Sequence, residues 1–112
     1  MTPERGNLFS ALPAALAEEQ IIALLAMPNL RIERIVSRGQ ASPPGFWYDQ
    51  AWAEWVIVLA GSADLKLDGE AAPIRLARGD YLYIPAHCRH RVEWTDPDDA
   101  TVWLAVHWPE VG

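Results

Sequence analysis

Cysteine is almost absent from this chain. Cys88 stands alone among 112 residues, so no internal disulfide can form, which fits a reducing compartment. Positive charge is also scarce: nine Lys and Arg against fifteen Asp and Glu give a net charge of −6. Phosphate binding needs a basic surface, so nucleic acid is not expected as a partner, and nothing suggests docking on an anionic membrane. Long apolar runs are missing too. The longest near the N-terminus, "IIALLAM", is far too short to span a bilayer. No basic segment leads into an apolar stretch there, so no signal peptide is expected and we read a soluble, cytoplasmic protein.

What is present suits one globular domain. The length allows a single core, about half of the residues are apolar and a fifth are charged. Six tryptophans are many for so short a chain. Their plain role is core filling and packing between sheets, although some could line a pocket or an interface.

Residues 1–29 read as a lead-in followed by one helix from about Pro13 to Met27. Proline suits its first turn, Pro28 ends it, and Ala17, Ile21, Leu24 and Leu25 form one stripe. That stripe would pack on the domain or on a second copy. Residues 30–112 read as β-structure. "LRIERIVS", "FWYDQ", "EWVIVLAG", "ADLKLDGE", "APIRLA", "YLYIP", "RHRVEWT" and "TVWLAVHW" are strand candidates, with turns at "DG", "RGD" and "TDPDDA". The "DG" suggests a tight hairpin. Many short strands separated by turns indicate a sandwich or barrel. The acidic turn lacks the spacing and terminal glutamate of a calcium loop.

Two ionisable residues stand out. Glu54 opens an apolar strand in phase with Val56 and Val58, and His90 is in phase with Val92 and Trp94. Side chains alternate along a strand, so both have a case for facing the interior. A buried carboxylate must be paired, protonated or bound to a cation. The two could form a plain pair or share a divalent metal. Trp55, Ile57 and Leu59 make the opposite face of the Glu54 strand apolar as well, so that strand is expected to be covered on both sides. His107 shares its phase with Trp103 and Ala105, but both faces of its strand are apolar and parity does not place it. Cys88 lies in a turn and is not expected to be a nucleophile. Arg75, Arg78, Arg89 and Arg91 are expected on a solvated outer face.

The spacing of these residues resembles the cupin superfamily. Its first motif has the form G-x5-H-x-H-x3-4-E-x6-G, and Glu54 with Gly61 matches its E-x6-G half. The second, G-x5-P-x-G-x2-H-x3-N, is matched at Gly79, Pro85 and His90. The resemblance runs from about Leu30 to Trp108. It implies an all-β, cupin-type double-stranded β-helix, a jelly-roll barrel of the RmlC-like kind, here preceded by the N-terminal helix. It also implies that Glu54 and His90 are two of four metal ligands. The paired histidines of the first motif are absent: one spacing places Tyr48 and Gln50 there, the other Trp47 and Asp49. His87 stands at the second motif's glycine and Trp94 at its asparagine.

Several readings follow from that resemblance. The first is a metal-dependent oxygenase, isomerase or lyase. It would hold iron, manganese, zinc or nickel on Glu54, His90 and one or two of Asp49, Gln50, Tyr48 or His87. Tyr48 or His87 would move protons. A metal-free variant would use a histidine and a tyrosine as acid and base. The second is a binding or sensing barrel with a pocket lined by Trp47, Tyr48, Trp94 and Trp103, with His107 nearby. The third is an interaction protein without catalysis. A small-molecule ligand and a homodimer are the expected partners.

Overall fold

The computed structural model describes residues 2–110 and consists of eight β-strands with no helix. They are β1 (Gln20–Met27), β2 (Leu30–Ser37), β3 (Trp52–Ala60), β4 (Ser62–Leu67), β5 (Ile74–Ala77), β6 (Tyr81–Ile84), β7 (His90–Thr95) and β8 (Thr101–Pro109). A five-stranded sheet, in the order β1-β2-β8-β3-β6, packs on a three-stranded sheet, β5-β4-β7. Every neighbouring pair is antiparallel. The core between the sheets is built from Val56, Val58, Ala63, Leu65, Leu76, Ile84, Trp103 and Ala105. Their alternation along each strand is what one buried face requires.

The expected helix is not formed. Gln20–Met27 instead pairs with β2 as an edge strand, with Met27 opposite Leu30 and only Pro28 and Asn29 between them. "QIIALLAM" is apolar almost throughout, so helical and strand periodicities fit it equally well. Tertiary pairing across a two-residue turn decides the matter, and Pro28 serves as a turn residue. The preceding segment is tied down by β2. Arg34, buried, donates to the carbonyls of Leu8 and Ser10 and to Gln20 Oε1. The Arg38 Nε–H donates to the carbonyl of Pro13.

Two further expectations shift. "FWYDQ" is not a strand, and only Tyr48 bridges to His90. The "DG" turn does not join its strands tightly: Leu65 pairs with Ile74, so the connection runs on to Pro73. The "RGD" turn and the acidic turn form as turns, with Asp96 Oδ1 accepting from the N–H groups of Asp98 and Asp99.

Gly61, between β3 and β4, has φ +80° and lies against β8. A Cβ there would sit 2.6 Å from Thr101 Cα and 2.7 Å from the Ala100 carbonyl oxygen. Gly69 has φ +88° with nothing near its missing side chain. Gly69→Ala therefore meets only the left-handed penalty, about 1–2 kcal/mol. Gly61→Ala adds overpacking against backbone and is expected to cost roughly 3 kcal/mol or more. Urea midpoints of the two variants beside wild type check the difference; equal losses would show that the contact with β8 does not matter.

Candidate functional site

The site is set by three adjacent strands. β8 lies between β2 and β3, with Glu33 opposite Ala105 and Glu54 opposite His107. This register turns Glu33, His107 and Glu54 toward the interior, where all three are buried. His90 reaches the same space from β7 and is only 4% exposed. The four groups form a line. His107 Nε2 stands 3.2 Å from Glu33 Oε1 and 3.9 Å from Glu54 Oε2, and His90 Nε2 stands 3.6 Å from Glu54 Oε1. Glu54 thus has one oxygen toward each imidazole. Arg31, at the surface, takes the other oxygen of Glu33 at 2.9 Å.

These groups line a half-open cavity of about 200 Å³. Its walls include Ile35, Val56, Leu65, Ile84, Val92 and Trp103, and its remaining polar groups are Glu19, Tyr48 and Gln50. Tyr48 stacks on His90, with ring centroids 5.2 Å apart, and the backbones of the two residues exchange hydrogen bonds of 2.7 and 3.1 Å. The Gln50 amide lies 3.5 Å from Glu54 Oε1. Glu19 accepts a 2.9 Å hydrogen bond from the Ser37 hydroxyl, which accepts in turn from the Trp103 indole N–H.

Burial and neighbouring charge tune these groups. Burial pushes the Glu19 carboxyl up, and the Glu54 charge adds to this against the opposing Ser37 hydrogen bond. Burial likewise raises the Tyr48 phenol, with Glu19 and Glu54 acting in the same sense. For His90, burial opposes the charged form, but the Glu54 carboxylate and the Cys88 carbonyl together outweigh it and the net shift is upward. His90 Nδ1 lies 2.9 Å from that carbonyl, which fixes the ring with Nε2 toward Glu54.

The remaining sequence candidates divide by face. Tyr48 and Gln50 line the cavity, whereas Trp47 and Asp49 do not, so Tyr48 and Gln50 occupy the places of the first motif's histidines. Trp47 lies under the guanidinium groups of Arg89 and Arg91. Asp49 pairs with His87 at 2.8 Å, both well exposed, and neither lines the cavity. His87 has φ +61°, the left-handed conformation of the glycine it replaces. Trp103 and His107 line the cavity, but Trp94 does not. A bulge between β4 and β7 pairs Asp64 with Trp94 and then Leu65 with Val92. That extra residue reverses the parity beyond it, so Trp94 stacks under Arg75 and Thr95 becomes buried. Arg75, Arg89 and Arg91 pair with Asp64, Asp68 and Glu93.

Glu33 and Glu19 were not anticipated as site residues. Glu33 carried a signal, since it is a carboxylate in phase with Ile35 within an apolar strand, the pattern that singled out Glu54. Glu19 carried none once its segment was read as a helix with an outward polar side.

The cupin-domain family matches residues 35–107. The chain belongs to the cupin family. A Ralstonia eutropha JMP134 protein described as a presumed mannose-6-phosphate isomerase is 53% identical, with 96% of this chain and 100% of that one covered at a TM-score of 0.94. A cupin superfamily protein from Desulfitobacterium hafniense is 19% identical over 98% of this chain and 95% of its own, at 0.76. An RmlC-like cupin with a double-stranded β-helix from Methanocaldococcus jannaschii is 18% identical over 88% and 86%, at 0.68. The last two share the fold. No curated protein matches the chain. No helix among the described residues is long and apolar enough to cross a membrane.

In this cupin the upward shifts of Glu19 and His90 act together on stability. Both groups hold their protons more firmly folded than unfolded. Their contribution is fully present below the ordinary values and fades as pH rises through the folded ones. Chelator-treated protein is expected to lose stability as pH rises above 6.5, where His90 deprotonates when unfolded. Urea unfolding from pH 5 to 9 would show the decline, and His90→Gln would remove the part of it due to His90 and leave the part due to Glu19. A wild-type curve no steeper than that of His90→Gln would refute the coupling.

Proposed function

We propose that this cupin binds a divalent transition-metal ion and a small, unphosphorylated polar molecule in the mouth of its barrel. The charge of the lining carries this reading: Glu19, Glu33 and Glu54 share the cavity with two imidazoles and with no Lys or Arg. Interior carboxylates in such number call for a cation.

The donor set suits a first-row ion in its chemistry. His90 commits Nδ1 to the Cys88 carbonyl and leaves Nε2 inward, which is how ligand histidines are held. The 3.6 and 3.9 Å gaps between Glu54 and the two imidazoles are too long for good hydrogen bonds. They match the spacing of two donors that each lie roughly 2.0–2.2 Å from one ion. As they stand, no three His, Cys, Asp or Glu side chains among the described residues are gathered round one point. Glu54, His90 and His107 would hold the ion, with Glu33 beside His107. Bound there, it would polarise a ligand oxygen as a Lewis acid.

The other residues shape the ligand. Tyr48, kept protonated at neutral pH, offers a hydroxyl donor beside His90. Ile35, Leu65, Val92 and Trp103 form apolar walls that exclude water. The stacking of Tyr48 on His90 also favours a second reading, in which these two residues move protons as base and acid without a metal. Activity that survives chelation would select it.

The name of the Ralstonia protein points to a sugar phosphate, and we do not carry that substrate over. A phosphate needs cationic or N–H donors, and this cavity presents three carboxyl groups instead. Mannose 6-phosphate at millimolar concentration is expected to leave the melting temperature unchanged and to undergo no isomerisation. Saturable binding of that compound would overturn the assignment to unphosphorylated ligands.

Titration calorimetry of chelator-treated protein with Zn²⁺, Mn²⁺, Ni²⁺ or Fe²⁺ tests the metal. One equivalent of at least one ion should bind. Glu54→Gln, His90→Gln and His107→Gln should each weaken it by about 10–100-fold while the fold, judged by circular dichroism, remains. No binding to folded wild type would remove the metal from this reading.

A further inference from the structure

A second cavity adjoins the one inside the barrel. It is a groove of about 290 Å³ between the lead-in at Ala17 and Glu18 and the loop of residues 40–43. Glu19, Tyr48 and Val92 line both spaces, so the two meet at these residues. Two carboxyl groups, Glu18 and Glu19, face the groove, and among the described residues no Lys or Arg does. The Gln40 amide is committed to the lead-in, where it donates to the Leu16 carbonyl. The Ser42 hydroxyl oxygen accepts from the Val92 N–H.

The carboxyl groups of the two spaces differ in what compensates them, and Glu19 stands apart. Glu33 has Arg31 at 2.9 Å and His107 at 3.2 Å. Glu54 stands between two imidazoles. Glu19 has no cation: its one hydrogen-bond partner among the described residues is the Ser37 hydroxyl, on Oε2. That hydroxyl accepts from the Trp103 indole N–H, a group that can only donate, so its own proton points to Glu19. Ser37 is fully buried, which holds this chain of donors in place. Oε2 is thereby in use, and Oε1 is left for the junction of the two spaces. Burial already pushes the Glu19 carboxyl up, as expected of a charge without its partner. An ionised carboxylate in such a place is costly until a cation meets it. The protein supplies none, so the cation must come with what binds.

We propose that the ligand of this cupin carries a protonated amine, which seats on Glu19 Oε1 where groove and barrel meet, while an oxygen-bearing end reaches His90 and Glu54 inside. This deepens the reading of a small polar ligand and rests on it. Glu19 sets the specificity, because an ammonium gives it a charge-assisted hydrogen bond that a neutral hydroxyl does not match. Glu18, on the groove wall, adds to the pull on a cation, as does the net charge of −6. The groove leaves room for substituents on the amine.

Straight-chain amino alcohols of two to six carbons, beside the diols of the same lengths, test the inference. Each pair differs only in an ammonium against a hydroxyl. Titrated at neutral pH into chelator-treated protein and followed by NMR, at least one amino alcohol should bind about tenfold or more tightly than its diol. Glu19→Gln keeps an acceptor for Ser37 but loses the charge, and should bring that amino alcohol down to the affinity of its diol. Glu70→Gln, in the exposed β4–β5 connection, should change nothing. Should Glu19→Gln fail to fold, the comparison of the paired probes on wild type carries the test by itself. Equal affinity of amine and diol, or an amine affinity untouched by Glu19→Gln, would overturn the inference and leave the small polar ligand standing. Absence of amine binding at every length would overturn it too. Binding of the diols or of the metal ion then shows whether the wider reading falls with it.

Discussion

The register of β8 between β2 and β3 is the constraint on which the rest of this structure depends. Side chains alternate faces with a period of two, so slipping this pairing by one residue would turn Glu54 or His107 outward and bring tryptophan or valine into the cavity. The same register sets Leu104 beside Ile57 and Val106 beside Trp55 in apolar rows on the outer face. One set of backbone hydrogen bonds thus decides both what the barrel encloses and what it presents outside. Gly61 protects that register at one end, because its bare backbone lets the β3–β4 turn lie against Thr101.

Within the barrel, charge is arranged rather than avoided. Two carboxylates alternate with two imidazoles along a short line, and a third carboxyl, Glu19, waits at the side on the Ser37 hydroxyl. Packing such groups among Val56, Leu65 and Trp103 costs stability unless each finds a partner. The upward shifts at Glu19, Tyr48 and His90 all express one tendency, a cavity that draws positive charge and retains protons.

Much of the fold was legible because strand alternation and turn chemistry are local. Glu54, Gly61, Gly79, Pro85 and His90 lie at fixed spacings that a barrel of this kind imposes, and they carried the family resemblance. The misreadings came from non-local causes. β1 took its conformation from pairing with β2, which its own periodicity did not encode. Trp94 was placed inside by a parity that the bulge reverses. Tyr48 and Gln50 were separated from Trp47 and Asp49 only by the bridge to His90, a contact across 42 positions of sequence. His107 and Glu33 meet because β2 and β8 are neighbours in space, and no spacing rule joins residues so far apart.

The place of β8 bears on how the chain is made. It is the last of the eight strands to leave the ribosome, yet it forms the middle of the larger sheet. Until it arrives, β2 and β3 have unpaired edges facing each other, with the interior carboxylates and the apolar outer rows exposed together. Nearly all of the barrel's order must therefore wait for β8 to emerge. The nascent chain then folds late, through distant contacts and slowly, and it is during this interval that chaperone binding or aggregation competes with folding.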